Sequence, residues 1–568
     1  MDPLIVKLRV LISYIPWLLH LLYYQVVDPC QEAGKHAVVG YVYAIKCYNS
    51  FPLTYDVEIM TLETLGKASS IDAQGRDITA ELEMVRSKDH RTEHGFQRDL
   101  MKKYNQFQDS TYRYTSTCFS SFEFVQPFSV ESTKEGLKIV KYPHHPSLVR
   151  KWREMGLDVE SHVGSTILGI GELSALEYIK SYALSHVGTS QDPHARLALT
   201  LARTKRSAGK WVLDGGAFLT TRIAPMTPYL DMLLRRNNSI FSIKAPYLAI
   251  SPTNFNSRAS FRQQNCLKPQ PHQSFYSPEA YSPDTSIFKM NKVSVYKLGS
   301  GGVLKIEQLS REDPKTQVTN VLSGLKALKN QNTSSLIIDL SDTTGDGVCT
   351  VKLLLKSLFN VDAQTLSHLR HNAILELVDD PAVYSLLNAS RYLSIDGKKL
   401  HPSLLKATYH YRTRSRRFTP YTQPFVDSCP HDIPFTPNLM PDKVGILTNS
   451  ICFGPCHLLV THASHIPGIK FFNAGGFKNH AATLASNPDF DCLDLDNIIS
   501  KITKYNGTSR KLLTFFPLPA KLSIPSRQFV KEKGFPLRFD QVMPHHQVIY
   551  PTSQLPTPAW ETIFNLFL

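Results

Sequence analysis

The chain has 568 residues, 42% of them hydrophobic and 20% charged, with 63 Lys and Arg against 48 Asp and Glu for a formal net charge of +15. That length exceeds one ordinary domain, and the composition excludes a disordered or fibrous protein. The positive charge is scattered, its densest run being YRTRSRRF at Tyr411–Phe418. No nucleic-acid partner is therefore expected, since that role wants a basic face interleaved with aromatics. Arg412–Arg417 reads as a solvated loop or, in a secreted protein, a dibasic cleavage site.

At the N-terminus, Lys7 and Arg9 precede an apolar run, Val10–Tyr24, of about signal-peptide length. Residues 1–27 are read as a secretory signal or an uncleaved anchor, with membrane association through residues 1–24 in the second case. The run is short for a full membrane span. Four Asn-x-Ser/Thr sequons, at Asn237, Asn332, Asn388 and Asn506, are compatible with a secreted glycoprotein. The nine cysteines contain no CxxC pair, which argues against structural zinc. In an oxidising compartment they could form up to four disulfides and leave one thiol over.

Residues 28–128 read as mostly helical, with spaced apolar residues over Val57–Leu65 and Phe96–Phe107. At Tyr112–Phe128 the pattern turns aromatic, β-branched and alternating, hence strands. Residues 129–290 combine short strands, one helix at Glu172–Leu184, an abrupt basic segment at Arg203–Lys210, and a long loop or linker over 251–290. The last region, 291–568, alternates strand and helix. Val293–Tyr296 and Val303–Ile306 are strands and Thr316–Asn330 an amphipathic helix. Ser335–Leu340 is a buried strand, followed by a TTGDG turn and a helix at Val351–Phe359. Such alternation implies crossovers onto a mostly parallel sheet.

Lys443–Gly476 completes that pattern. Val444–Thr448 suits a buried strand, Asn449–Ser450 breaks it, and Pro455 stands where a first helical turn begins. Cys456–His465 then reads as a helix and Ile469–Phe472 as the next strand. A strand–turn–helix unit of this shape is how many α/β enzymes present a nucleophile to a helix N-terminus.

SLIIDLSDTTGDGV with VKLLLKSLF, and later VGILTNSICFGPC with IKFFNAGG, resemble the tail-specific (C-terminal-processing) serine peptidases. The nearest branch is that of the fungal proteins related to the chlamydial protease-like activity factor. IKCYNSFPL at Ile45–Leu53, CFSSFEFVQPFSV at Cys118–Val130 and STILGIGELSALEYIK at Ser165–Lys180 extend the similarity. The resemblance implies a multi-domain α/β protein: a helical N-terminal region, a PDZ-like β-rich module, and a C-terminal peptidase-like domain of the crotonase-like type. It also implies a peptide or protein substrate, no cofactor and no metal. The chemistry would be acyl transfer by a serine, a histidine base and an orienting glutamate, with a glycine turn donating to the oxyanion.

Taken residue by residue, that machinery is degenerate here. The nucleophile of the family's Cys-Ser-Ser-Thr-Cys turn falls on Phe453 and its second serine on Gly454, while Cys452 and Cys456 match the flanking cysteines. The base histidine falls on Thr111, within Gln108–Tyr114, and only Asp109 of that element matches. No glutamate is in register near the C-terminus, where Asp540 is the nearest carboxylate. The oxyanion turn keeps Gly345 and Gly347 but adds Asp342 and Asp346. Ser450 and Cys452 remain as fallback nucleophiles. His457, His462 and His465 lie on the helix that follows and are read as solvated or core histidines in preference to metal ligands. Two functions stay open: a serine peptidase that processes a precursor peptide with impaired chemistry, or a catalytically silent peptide-binding or regulatory protein.

Overall fold

The computed structural model describes residues 28–567 apart from 69–77, 189, 252, 268–279, 282–284, 370–383, 386, 388, 402–404, 406–408, 413–417, 431–442, 478–481, 488, 490, 496–515, 518, 531–536 and 538–540. The signal or anchor reading of residues 1–27, the dibasic run, Asp540 and the sequons at Asn388 and Asn506 lie outside the described residues. No helix among the described residues is long and apolar enough to cross a membrane.

The organising element is a seven-stranded sheet whose spatial order follows the chain: β1 (Phe288–Met290), β2 (Val293–Leu298), β3 (Gly301–Ile306), β4 (Ser335–Asp339), β5 (Lys443–Thr448), β6 (Lys470–Ala474) and β7 (His546–Val548). β1–β3 form antiparallel pairs, and β3 to β7 run parallel. The parallel strands are joined by helices α1 (Pro314–Asn330) between β3 and β4, α2 (Val348–Phe359) between β4 and β5, and α3 (Pro455–Ala463) between β5 and β6. β4 is buried at every position and β5 at every position but its first, as expected of strands covered on both faces. One face packs against α1, α2 and α3 through Val318, Val321, Leu354, Leu355, Leu459 and their neighbours. The other face carries Val303, Ile337, Leu447 and Phe472, covered by Trp560, Ile563 and Phe567 of α4 (Thr557–Phe567).

The N-terminal region holds helices at Tyr41–Tyr48, Tyr55–Ala68, Ile78–Arg86 and Glu93–Gln106, the last capped by the Thr92 side chain, which accepts from the Gly95 N–H at 3.1 Å. Strands Arg113–Ser116 and Glu123–Val125 follow, and the first pairs with Ala520–Pro525. The N-terminal region is thus stitched to the last third of the chain. Beyond it, strands Ser129–Thr133, Gly136–Val140, Thr166–Ile170, Tyr229–Arg236 and Ser239–Pro246 form one antiparallel sheet, with a short strand Leu173–Ser174 attached.

Three expectations need correction. The helix expected at Glu172–Leu184 runs over Ala175–His186, because Leu173–Ser174 pairs with Gly169–Ile170 and the Ser174 hydroxyl caps the helix at the Glu177 N–H. Residues 251–267 are not a linker. Phe255 and Phe261 are buried among Tyr48, Phe119 and Phe122, and Cys266 is bonded to Cys118. Burying such an aromatic contributes roughly 2 kcal/mol, enough for two phenylalanines to fix a segment otherwise rich in polar residues. Arg203–Lys210 does not interrupt the strands either: Arg203–Ser207 and Lys210–Asp214 form a hairpin whose Arg203 and Arg206 are buried.

Candidate functional site

The turn between β5 and α3 lies at the carboxyl end of the sheet, where parallel α/β architectures place their ligands. Phe453 and Thr111, the residues expected from the sequence at the nucleophile and base positions, line one open cleft of about 650 Å³. Gly345, Ile451, Asp342 and Cys492 line it too. The structure therefore brings together residues 342 positions apart in the chain, a phenyl ring with no nucleophilic atom and a threonine whose hydroxyl is bonded to Asp109. No histidine lines this cleft among the described residues.

The fallback nucleophiles, Cys452 and Ser450, are both engaged in bonds within the protein. Cys452 is disulfide-bonded to Cys456 across the start of α3, so it has no thiolate to offer; this overturns its candidacy. Ser450 is 1% exposed and sits at φ 64°, a left-handed conformation uncommon for serine. Its hydroxyl donates to the Thr483 carbonyl at 2.7 Å and accepts from Asn473 Nδ2 at 2.9 Å. Its own carbonyl accepts from the Ser486 hydroxyl at 2.8 Å. Thr483 in turn donates to Asp192, whose carboxyl burial pushes above the usual range. Ser450 thus holds the turn in place, and the bonds that fix it also occupy it.

The backbone donors are occupied as well. The Phe453 N–H donates to the Thr343 carbonyl at 3.3 Å and the Gly454 N–H to the Asn487 carbonyl at 2.7 Å. In the glycine turn, the Asp346 and Gly347 N–H groups both donate to the Leu309 carbonyl at 3.0 Å. A Cβ at Gly345, at φ 145°, would lie 2.0 Å from that same carbonyl oxygen, so glycine is required there for close packing. An oxyanion hole needs N–H groups aimed at an empty position, and these point at protein carbonyls. Nor are the turn's carboxylates loose: Asp346 pairs with Arg311 at 2.9 Å and Asp342 with Arg203 at 2.8 Å.

On the opposite wall, Thr111 is 2% exposed and gives both its N–H and its hydroxyl to Asp109 Oδ1, at 3.0 and 2.6 Å. Ser110 accepts from Asn487 Nδ2 at 2.9 Å. Asn487, buried at 2% exposure, therefore ties the Ser110–Thr111 wall to the Phe453–Gly454 turn. Sequence reading missed it, along with the network of ion pairs on the cleft wall. Arg203 bridges Asp342 and Asp214, Asp214 also accepts from Lys205, and Arg206 pairs with Glu307 at 2.8 Å. Burial opposes ionisation of Asp214, but Arg203 and Lys205 hold its carboxyl well below the usual range. The alternation of Arg203, Lys205 and the buried Trp211 in one hairpin was the available signal; the distant carboxylates were not.

Of the histidines on α3, His457 is buried and His462 is held below its usual range, first by burial and then by His465. Among the described residues no group of three or more His, Cys, Asp or Glu is arranged to hold a metal ion. Eight of the nine cysteines form four disulfides, Cys30–Cys47, Cys118–Cys266, Cys349–Cys429 and Cys452–Cys456. The ninth, Cys492, is exposed and lines the cleft. Titration of the native protein with a thiol reagent should count one thiol per chain, and the same number after unfolding without reductant. Two or more would contradict this pairing.

Among solved structures, the chain is similar to mature CPAF complexed with lactacystin, at 13% identity and a TM-score of 0.51, over 92% of this chain and 97% of that one. It is similar to mature CPAF itself at 14% identity and a TM-score of 0.50, over 91% and 96%. Likeness to the photosystem II D1 C-terminal processing protease is weaker, with 8% identity and a TM-score of 0.31. The likeness to mature CPAF shows a shared fold. No protein-family model matches the chain, and no curated protein does.

Proposed function

We propose that this protein is a catalytically silent, peptide-binding member of the tail-specific peptidase fold, working in an oxidising compartment of the secretory pathway. In this reading 28–128 is a helical N-terminal region, 129–290 a PDZ-like module with a following segment whose Phe288–Met290 joins the central sheet as β1, and 291–568 a crotonase-like domain. The observation that carries it is the cleft itself. Its volume of about 650 Å³ is within the usual range for ligand sites, ~300–1,000 Å³, yet the position that should attack a carbonyl holds Phe453. Support for the compartment comes from the four disulfides, which reducing cytosol does not sustain. The exposed, turn-forming Asn237 and Asn332 are compatible with glycosylation there.

The test is an active-site fluorophosphonate probe on purified protein, with peptide binding measured alongside. Neither the native protein nor Phe453→Ser is expected to be labelled, because the new hydroxyl would meet no histidine and no open pair of backbone donors. Peptide binding is expected to persist in both. Labelling of the native protein that disappears in Ser450→Ala would overturn the silent reading. Such a result would favour the alternative, a precursor-processing serine peptidase.

A further inference from the structure

We infer that the cleft selects acidic peptide segments, with Arg113 and Lys292 as the cations that engage them. This rests on the peptide-binding reading above and goes beyond it by naming the chemistry of the peptide.

Eight charged side chains line the cleft. Three lining cations are neutralised within the protein: Arg203 and Lys205 share Asp214, Arg203 also meets Asp342, and Arg206 meets Glu307. Three carboxylates thereby answer three cations. The remaining lining charges are Arg113, Lys292 and Asp489. Asp489 is fully buried and its Oδ1 accepts from the Phe529 N–H at 3.0 Å, so it faces inward. Arg113 is exposed on its strand and Lys292 half-buried in the turn before β2; neither has an ion-pair partner among the described residues. The open wall is therefore left with a positive surplus, and the chain's +15 adds a long-range field of the same sign.

The rest of the lining distinguishes a peptide from other polyanions. Leu199, Ile451 and Phe453 supply apolar side chains to the same lining. Binding a nucleic-acid strand wants several aromatic faces on which successive bases stack, and Phe453 is the one aromatic lining this cleft among the described residues. A segment alternating carboxylates with aliphatic side chains matches both the charge and the apolar part of the lining.

Fluorescein-labelled decapeptides of alternating Glu–Leu, Gln–Leu and Lys–Leu, with a labelled oligothymidylate, would be titrated by anisotropy at low and high salt. The Glu–Leu peptide is expected to bind about 5- to 10-fold tighter than Gln–Leu at low salt, the scale of two exposed ion pairs, with the gap shrinking at high salt. In Arg113→Glu/Lys292→Glu, whose thermal unfolding should match the native protein, the order of the Glu and Lys peptides is expected to reverse. Equal binding of all three peptides overturns the acidic preference and leaves peptide binding standing. No binding of any peptide overturns both readings. Oligothymidylate binding tighter than Glu–Leu, and lost in the double variant, overturns this inference in favour of a nucleic-acid strand.

Discussion

Asp339→Ala is expected to destabilise the protein by about 3–5 kcal/mol, read as a fall in the urea midpoint at unchanged slope. Asp339 ends β4 and is fully buried. It accepts from Lys305 Nζ at 3.1 Å, from the Ser341 N–H at 2.8 Å and from Trp560 Nε1 at 2.8 Å. Lys305 is 1% exposed and sits opposite it on β3, with its other bonds going to the Asp339 and Ser341 carbonyls. Removing the carboxylate would strand an ammonium where water cannot reach it, and deprive the indole of the acceptor that docks α4 on the sheet. Breaking a buried pair costs far more than the pair contributes, since the desolvation of both ions is already spent. Lys305→Met/Asp339→Leu should therefore be less destabilised than Asp339→Ala by at least ~1 kcal/mol. A single variant costing under ~1 kcal/mol, or a double variant costing more than the single, would rule out this account of the pair.

How far the sequence spoke for itself depends on whether a signal is local. The strands of the central sheet were legible because SLIIDL, VGILT and IKFF are apolar runs of strand length set between helical periodicities. All three form where expected, as β4, β5 and β6. The position of the turn after β5 was legible for the same reason, helped by Pro455 at the first position of α3. Tertiary partners were not legible. Arg203 and Arg206 read as a basic interruption because Asp342 and Glu307 lie more than a hundred residues away. Residues 251–267 read as a linker because their composition is polar, although Phe255 and Phe261 outweigh it once Tyr48 and Phe122 are alongside. Ser450 stayed a candidate nucleophile until Asn473 and Thr483 were placed against its hydroxyl. Cysteine spacing could not choose among pairings, so Cys452 stayed a candidate until Cys456 was seen to hold its sulfur.

That pairing leads to the second large effect. Cys118→Ala/Cys266→Ala should cost about 5 kcal/mol, because the bond closes a loop with a sequence separation of 148 and so removes much of the unfolded chain's freedom. Cys452→Ala/Cys456→Ala removes a bond that closes a separation of only 4 and should cost about 2 kcal/mol by the same relation. The two pairs separate a scaffold role from a local one. The long bridge staples residues 251–267, with Phe255 and Phe261, onto the aromatic cluster beside the N-terminal helices, whereas the short one only braces the entry to α3. Guanidinium unfolding of both variants under identical non-reducing conditions measures the difference. The short-loop variant should also retain the cleft's peptide affinity, since Ser450 and Asn487 still anchor the turn on either side. If the short bridge proves the more costly of the two, chain entropy is not what these disulfides contribute, and the turn at Phe453 depends on its sulfurs more than on its hydrogen bonds.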